Sequence, residues 1–557
     1  MPGVRPSIQI RHEVHNVRWS PGLVDGAGTD IALQGVKAWD QARNESSSAR
    51  EEQRRDAMES AAMTDKHGRN EDSSMLHVWA SGVDGLDRVL GGGLAAGRAY
   101  LIAGEPGTGK TTLGNQLVFN HAATGQTAVF ASFLTETYDS MLTNMRGFTF
   151  LDSSLIGTRV KFYSLMSGFA EGLEVMLSTI RGIIRDSGAT LLVIDGATVI
   201  QDSLPTSFEL RRFTQHIQIY SALLGCTTIL LTTHTRDELR SIGAHVDGII
   251  LLTNERIESL HSRVIEVLKV RGLLQISGAH EFSMSSTGIT VHPRLESIAG
   301  QHLPPEAAAI GLGTGIPGLD AMLGGGLIPY SSTLLIGTPG AGKTLLGLSF
   351  LTEGGDRGER GLIAGFHESA QEIAATASRI GLDLRRHIDS GMVHVMWTSP
   401  TELSVDEWAW RLFAMIDIHR PQRVFIDSLS DIQRLISRPQ RLSAYVAALV
   451  NELRARGTTI FIATEIDSYV DQELIMPIPA ALATMDNGIL VRQIELNARL
   501  NRLITVLKAR QAATDPVIRE FVITDQGIDV SRPFLASDGP LTGRAEQAND
   551  DEAGSAT

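Results

Sequence analysis

The sequence predicts an α/β protein made of two tandem domains, each a mostly parallel sheet covered by helices, with an antiparallel extension at its C-terminal side. Three observations carry this prediction. Residues 81–112 (SGVDGLDRVLGGGLAAGRAYLIAGEPGTGKTT) recur at 314–345 (TGIPGLDAMLGGGLIPYSSTLLIGTPGAGKTL) with a constant offset of 233 residues and no gap. Short apolar runs alternate with helical spacing inside each copy, which means strands joined through crossover helices and a sheet covered on both faces. Each copy also carries a glycine-rich octapeptide between an apolar strand and a helix.

The repeat sets the domain boundaries. Later landmarks return in the same order: LLVID at 191–195 and RVFID at 423–427, LKVRG at 268–272 and LKARQ at 507–511, EFSMSSTGITV at 281–291 and EFVITDQGIDV at 520–530. One domain is therefore expected at 75–293 and its duplicate at 310–535, joined by a linker over 294–309; the stretch 293–309 holds three prolines and no strand-like alternation. Residues 1–74 lack a sustained apolar period and carry charged clusters, so they are expected to be disordered or weakly helical. Residues 536–557 read as an acidic, solvated tail.

In the first copy the pattern predicts strands at 100–103, 127–133, 160–165, 191–195 and 227–233. Helices are expected at 110–121, from about 137, at 170–184 and at 208–224. The alternating stretches 264–270 and 281–291 predict the antiparallel extension.

Composition narrows the function classes. A length of 557 residues exceeds one ordinary core. The net charge of −14 argues against a nucleic-acid coat protein, which needs a basic surface. No apolar run approaches the roughly 18–20 residues of a membrane span, and the chain opens on Met-Pro-Gly-Val-Arg rather than a secretion leader, so a cytoplasmic protein without membrane association is expected. The single cysteine, Cys226, lies in an apolar run and reads as a buried thiol, and the 16 histidines show no metal-ligand spacing.

The chemistry sits in the two octapeptides. Gly104-Glu105-Pro106-Gly107-Thr108-Gly109-Lys110-Thr111, followed by Thr112, and Gly337-Thr338-Pro339-Gly340-Ala341-Gly342-Lys343-Thr344, followed by Leu345, both match G-x-x-x-x-G-K-[ST]. Glycines let such a loop wrap a phosphate with its backbone N–H groups turned inward, and the helix N-terminus adds partial positive charge. Lys110 and Lys343 are expected on the β and γ phosphates of ATP, and the Thr111 and Thr344 hydroxyls on Mg²⁺. Asp195 and Asp427 end apolar strands, where an acid completes the metal site.

The repeated GLDxxLGGGL leader, the two phosphate loops and the paired LKxR strands resemble the KaiC family of RecA-like ATPases over roughly 76–293 and 310–545. The resemblance implies two RecA-like domains per chain, a homohexameric double ring, ATP hydrolysis at subunit boundaries, a signalling or timer-like role with regulatory partner proteins, and possible Ser/Thr autokinase activity. In that family two adjacent glutamates follow the second strand, and the first polarises the attacking water. Here the segments read Phe133-Leu134-Thr135-Glu136-Thr137 and Phe366-His367-Glu368-Ser369, so only the second acid survives in each. Glu136 and Glu368 are the candidate bases, with His367 a partial substitute in the second copy. By the same resemblance Lys269 and Arg271, with Lys508 and Arg510, reach the γ-phosphate of a neighbouring subunit. The family's phosphate-accepting pair falls at Leu482 and Ala483, which lack hydroxyls, with Thr484 adjacent. Two other readings stay open: a RecA-like DNA recombination or helicase protein, disfavoured by the charge, and an ATP-liganded scaffold with little turnover.

Overall fold

The computed structural model describes residues 76–133, 138–166, 172–196, 207–257, 260–298, 305, 311–399, 403–436, 438–466, 479–496, 499–510 and 515–534. The chain divides into two units, Met1–Val78 and Trp79–Thr557. The expected extension 1–74 and tail 536–557 lie outside the described residues. Both copies of the repeat lie in the second unit, and each builds one large sheet.

In the first copy the strands are β1 (Ala99–Gly104), β2 (Ala128–Ser132), β3 (Val160–Ser164), β4 (Leu191–Asp195), β5 (Thr227–Thr232), β6 (Gly248–Ile257), β7 (Leu260–Val270), β8 (Ala279–Ser285) and β9 (Gly288–His292). They lie in the order β9-β8-β7-β6-β1-β5-β4-β2-β3. All pairs from β6 to β3 are parallel, and β6-β7, β7-β8 and β8-β9 are antiparallel. The second copy repeats this with β10 (Ser332–Gly337), β11 (Gly361–Gly365), β12 (Val393–Trp397), β13 (Arg423–Asp427), β14 (Thr459–Glu465), β15 (Asn487–Leu496), β16 (Arg499–Ala509) and β17 (Arg519–Glu520), in the order β12-β11-β13-β14-β10-β15-β16-β17.

Period-2 alternation explains the layers. Along β1 and β4, Tyr100, Ile102 and Val193 join one core with Leu113 and Leu117 of helix α1 (Lys110–Ala123). Leu101, Ala103 and Ile194 join the opposite core with Met176 and Ile180 of α2 (Leu173–Ser187) and Phe213 of α3 (Ser207–Leu224). Both faces are apolar, so the strands read as continuous hydrophobic runs. Cys226 is buried, and burial pushes its thiol up to about 12.

The structure departs from the sequence expectation in three places. The strand 248–257 was not anticipated; it lies parallel to β1 and pairs along its full length with β7. The stretch 281–291 is not one strand but the hairpin β8-β9, turning at Ser286-Thr287. The helix expected at 170–184 starts at Leu173 and runs to Ser187. The segment expected to open the linker is packed: Leu295 and Ile298 enter the core of the second copy.

Candidate phosphate sites

β1 ends at Gly104, and α1 begins at Lys110 with Gly109 as its N-cap at φ 98°. In the second copy α4 (Lys343–Asp356) follows Gly342 at φ 111°. No side chain caps either helix, so the first-turn N–H groups keep their donors for a ligand.

The two sites share one arrangement. Lys110 Nζ donates to the Gly104 and Glu105 carbonyls, both at 2.8 Å. Lys343 Nζ donates to the Gly337 carbonyl at 3.0 Å and the Thr338 carbonyl at 2.9 Å. Each lysine is thus folded onto its own loop, and burial pushes both ammonium groups below their ordinary range. An incoming phosphate offers each a full charge in place of two carbonyl dipoles.

Thr111 Oγ1 donates to Asp195 Oδ2 at 2.8 Å, and Thr344 Oγ1 to Asp427 Oδ2 at 2.6 Å. A hydroxyl and a carboxylate at hydrogen-bond distance, both hard oxygen donors, fit a Mg²⁺ that takes most of its other ligands from water and phosphate. Burial raises the Asp427 carboxyl, while the Thr344 hydrogen bond and the Lys343 charge oppose that shift. Thr338 Oγ1 is buried in the second loop without a hydrogen-bond partner, a donor left over for a ligand.

The expected bases differ in what can be placed. Glu136, with Thr135, lies outside the described residues. Glu368 follows β11 and faces Asp427; burial first, then the Asp427 and Glu372 charges, raises its carboxyl. Glu368 does not cap the next helix, because Ser369 and Glu372 form that cap. His367 Nε2 lies 2.9 Å from Asp431 Oδ1, which also accepts from Arg434 Nη1 at 2.8 Å.

The K-x-R pairs are held in the same way in both copies. A bulge at Leu268 shifts the β6-β7 register, and one at Leu507 shifts β15-β16. Lys269 Nζ donates to the Gly243 and Val246 carbonyls at 2.6 and 2.7 Å. Lys508 Nζ donates to the Leu482, Ala483 and Met485 carbonyls at 2.9, 3.3 and 2.7 Å. Both lysines therefore tie a preceding loop to the sheet within their own chain. Arg271 Nη1 lies 3.5 Å from Asp247, and Arg510 Nη2 donates to the Ala483 carbonyl at 2.7 Å. About half of each arginine side chain is exposed.

Two residues were missed. Asp431, which holds His367, sits one helical turn beyond β13 and has no motif to announce it. Glu465 ends β14, with Oε1 3.8 Å from Lys343 Nζ. Its signal was present: TIFIATE is an apolar strand ending in an acid, the same pattern that pointed to Asp427.

The model of the KaiC ATPase family matches residues 79–296 and again 312–533. The circadian clock oscillator protein KaiC of Thermostichus vulcanus is 27% identical over 485 residues, covering 84% of this chain and 92% of that protein. The KaiC of Synechococcus elongatus is 26% identical over 510 residues, covering 89% and 96%. The circadian clock protein KaiC3 of Synechocystis is 28% identical over 485 residues, covering 83% and 93%. No helix among the described residues is long and apolar enough to cross a membrane. With two matches that together span most of the chain, each on one sheet and one phosphate loop, the chain belongs to the KaiC ATPase family.

Proposed function

We propose that this chain binds Mg-ATP in both copies and hydrolyses it at the subunit boundaries of a self-assembled hexameric ring, with a signalling or timer-like output. The observation that carries the reading is the Lys/Thr/Asp constellation, built twice with matching contacts: Lys110/Thr111/Asp195 and Lys343/Thr344/Asp427. Loop N–H groups and the lysine take the β and γ phosphates. Bound Mg²⁺ neutralises charge on the phosphate oxygens. Glu136 and Glu368 accept the proton of the attacking water. Arg271 and Arg510, more open than Lys269 and Lys508, take the developing charge on a neighbour's phosphate, and the lysines hold the strand register that aims them.

The ring follows from those arginines, since a cation aimed at a neighbour's nucleotide gives a repeating head-to-tail contact, and such contacts close into a ring. The timer-like output rests on the relatives named as circadian clock proteins. Autophosphorylation would need an acceptor other than Leu482 or Ala483; Thr484 is the adjacent hydroxyl. The scaffold reading is favoured by one feature, the absence of the first family glutamate at Thr135 and His367.

Phosphate release from Glu136→Gln and Glu368→Gln proteins decides between turnover and scaffold. We expect slow wild-type turnover that falls more in Glu136→Gln than in Glu368→Gln, because His367 offers the second copy a partial substitute. Unchanged rates in both variants, with nucleotide still bound, would remove these glutamates as bases and favour the scaffold.

A further inference from the structure

We propose that Glu465 is a further catalytic residue of the second copy, orienting the water that attacks the γ-phosphate; this rests on the ATPase reading above. The sheet puts it there. β14 lies between β10, which feeds the phosphate loop, and β13, which ends at Asp427, and Glu465 stands opposite Gly337 in the parallel register. Its backbone N–H donates to Ser430 Oγ at 3.0 Å, which fixes the strand end. Its carboxylate emerges between the lysine that serves the terminal phosphates and the acid of the metal site. Oε1 lies 3.8 Å from Lys343 Nζ, and the Glu465 charge acts on both Lys343 and Asp427.

Charge forces the next step. When ATP draws Lys343 onto its phosphates, Glu465 is left facing the γ-phosphoryl group, and two anions at that range repel unless a hydrogen-bearing group stands between them. A water donating one hydrogen to Glu465 and the other to Glu368 meets that requirement, with its oxygen lone pair turned to phosphorus. The water oxygen bonds to the γ-phosphorus as the bond to the β–γ bridging oxygen breaks. The bridging oxygen keeps the electron pair and leaves on ADP. One water proton passes to Glu368, and the other stays on the new phosphate.

The first copy lacks this residue. In the parallel register Glu465 faces Gly337, and the position that follows the Ala103–Thr232 pair in the first copy, facing Gly104, is Thr233, just past the end of β5. The two copies therefore hydrolyse with different equipment: one carboxylate after the second strand in the first, and a second carboxylate at the end of β14 added in the second.

The test uses the full chain carrying Lys110→Ala, so that phosphate release reads the second copy alone, with bound nucleotide counted in every variant. Glu465→Thr, which copies the first site, and Glu465→Ala should lower kcat by about 100-fold with ATP still bound. Glu465→Gln, whose amide oxygen still accepts a hydrogen bond, should stay within about tenfold of the parent. A residue that merely neutralised Lys343 would behave differently: Gln, Thr and Ala would all tighten ATP binding alike and leave kcat unchanged, and that result overturns the proposal. No phosphate release from the Lys110→Ala parent, with nucleotide bound, overturns hydrolysis in the second copy and this role with it. Release by the parent that is insensitive to Glu465 overturns the role alone.

Discussion

Single residues decide how closely the chain can wrap a phosphate. Gly109 and Gly342 both cap their helices at positive φ, where a side chain is strained whatever the space around it. Their surroundings differ. A Cβ on Gly109 would meet the flexible Met284 methyl at 2.7 Å, whereas a Cβ on Gly342 would meet the Phe521 ring at 2.5 Å. Methionine can turn aside; a phenylalanine packed at 2% exposure cannot. Gly109→Ala is therefore expected to cost of order 1 kcal/mol from backbone strain alone, and Gly342→Ala about 1–3 kcal/mol more from the clash. Denaturant midpoints of the two variants check the order, and equal losses would contradict it. The lysines, threonines and strand-end aspartates of both sites were legible at this scale because each answers to a fixed spacing after an apolar strand. Glu465 ends an apolar strand as Asp427 does, but its counterpart by the repeat is Thr233, so comparing the copies hid it.

At the scale of elements, the sheets were readable from alternation, and the misses have physical causes. The strand 248–257 opens on the apolar run Ile249–Leu252, whose residues enter the cores on both faces of the sheet, so it shows no alternation to mark it. Prolines mark a break in regular structure and say nothing of burial. Pro293–Ile298 is irregular yet tied down. The Pro293 carbonyl accepts from Trp410 Nε1 at 2.9 Å. Leu295 N donates to Asp406 Oδ1 at 3.2 Å. Arg441 bridges both sides, donating to Asp406 Oδ2 at 2.9 Å and through Nε to Glu296 Oε1 at 2.6 Å. Asp406 is fully buried, and burial pushes its carboxyl up, against the pull of Arg441. Removing this cation leaves the buried Asp406 carboxyl without its charged partner, so Arg441→Met is expected to destabilise the second copy by about 3–5 kcal/mol. A urea midpoint that does not move would show that the contact between the segment and the second copy carries no such weight.

For the whole molecule, duplication is the organising fact. It places the same loop, strand-end aspartate and bulged strand with its Lys-x-Arg pair twice, and it was visible because the offset is constant across the leader and the loop. The proposed assembly rests on the family resemblance, since a contact between two copies leaves no spacing in the sequence of one. The two sites and the ring are joined in one claim: each arginine serves a neighbour's nucleotide, so nucleotide and assembly depend on each other. Native mass measurement in excess Mg-ATP, on the wild type, Lys110→Ala and Lys343→Ala, reads both at once. The account predicts six chains carrying two nucleotides each for the wild type, with one nucleotide per chain in each lysine variant. A wild type that remains monomeric, or a lysine variant that still carries two nucleotides per chain, would contradict it.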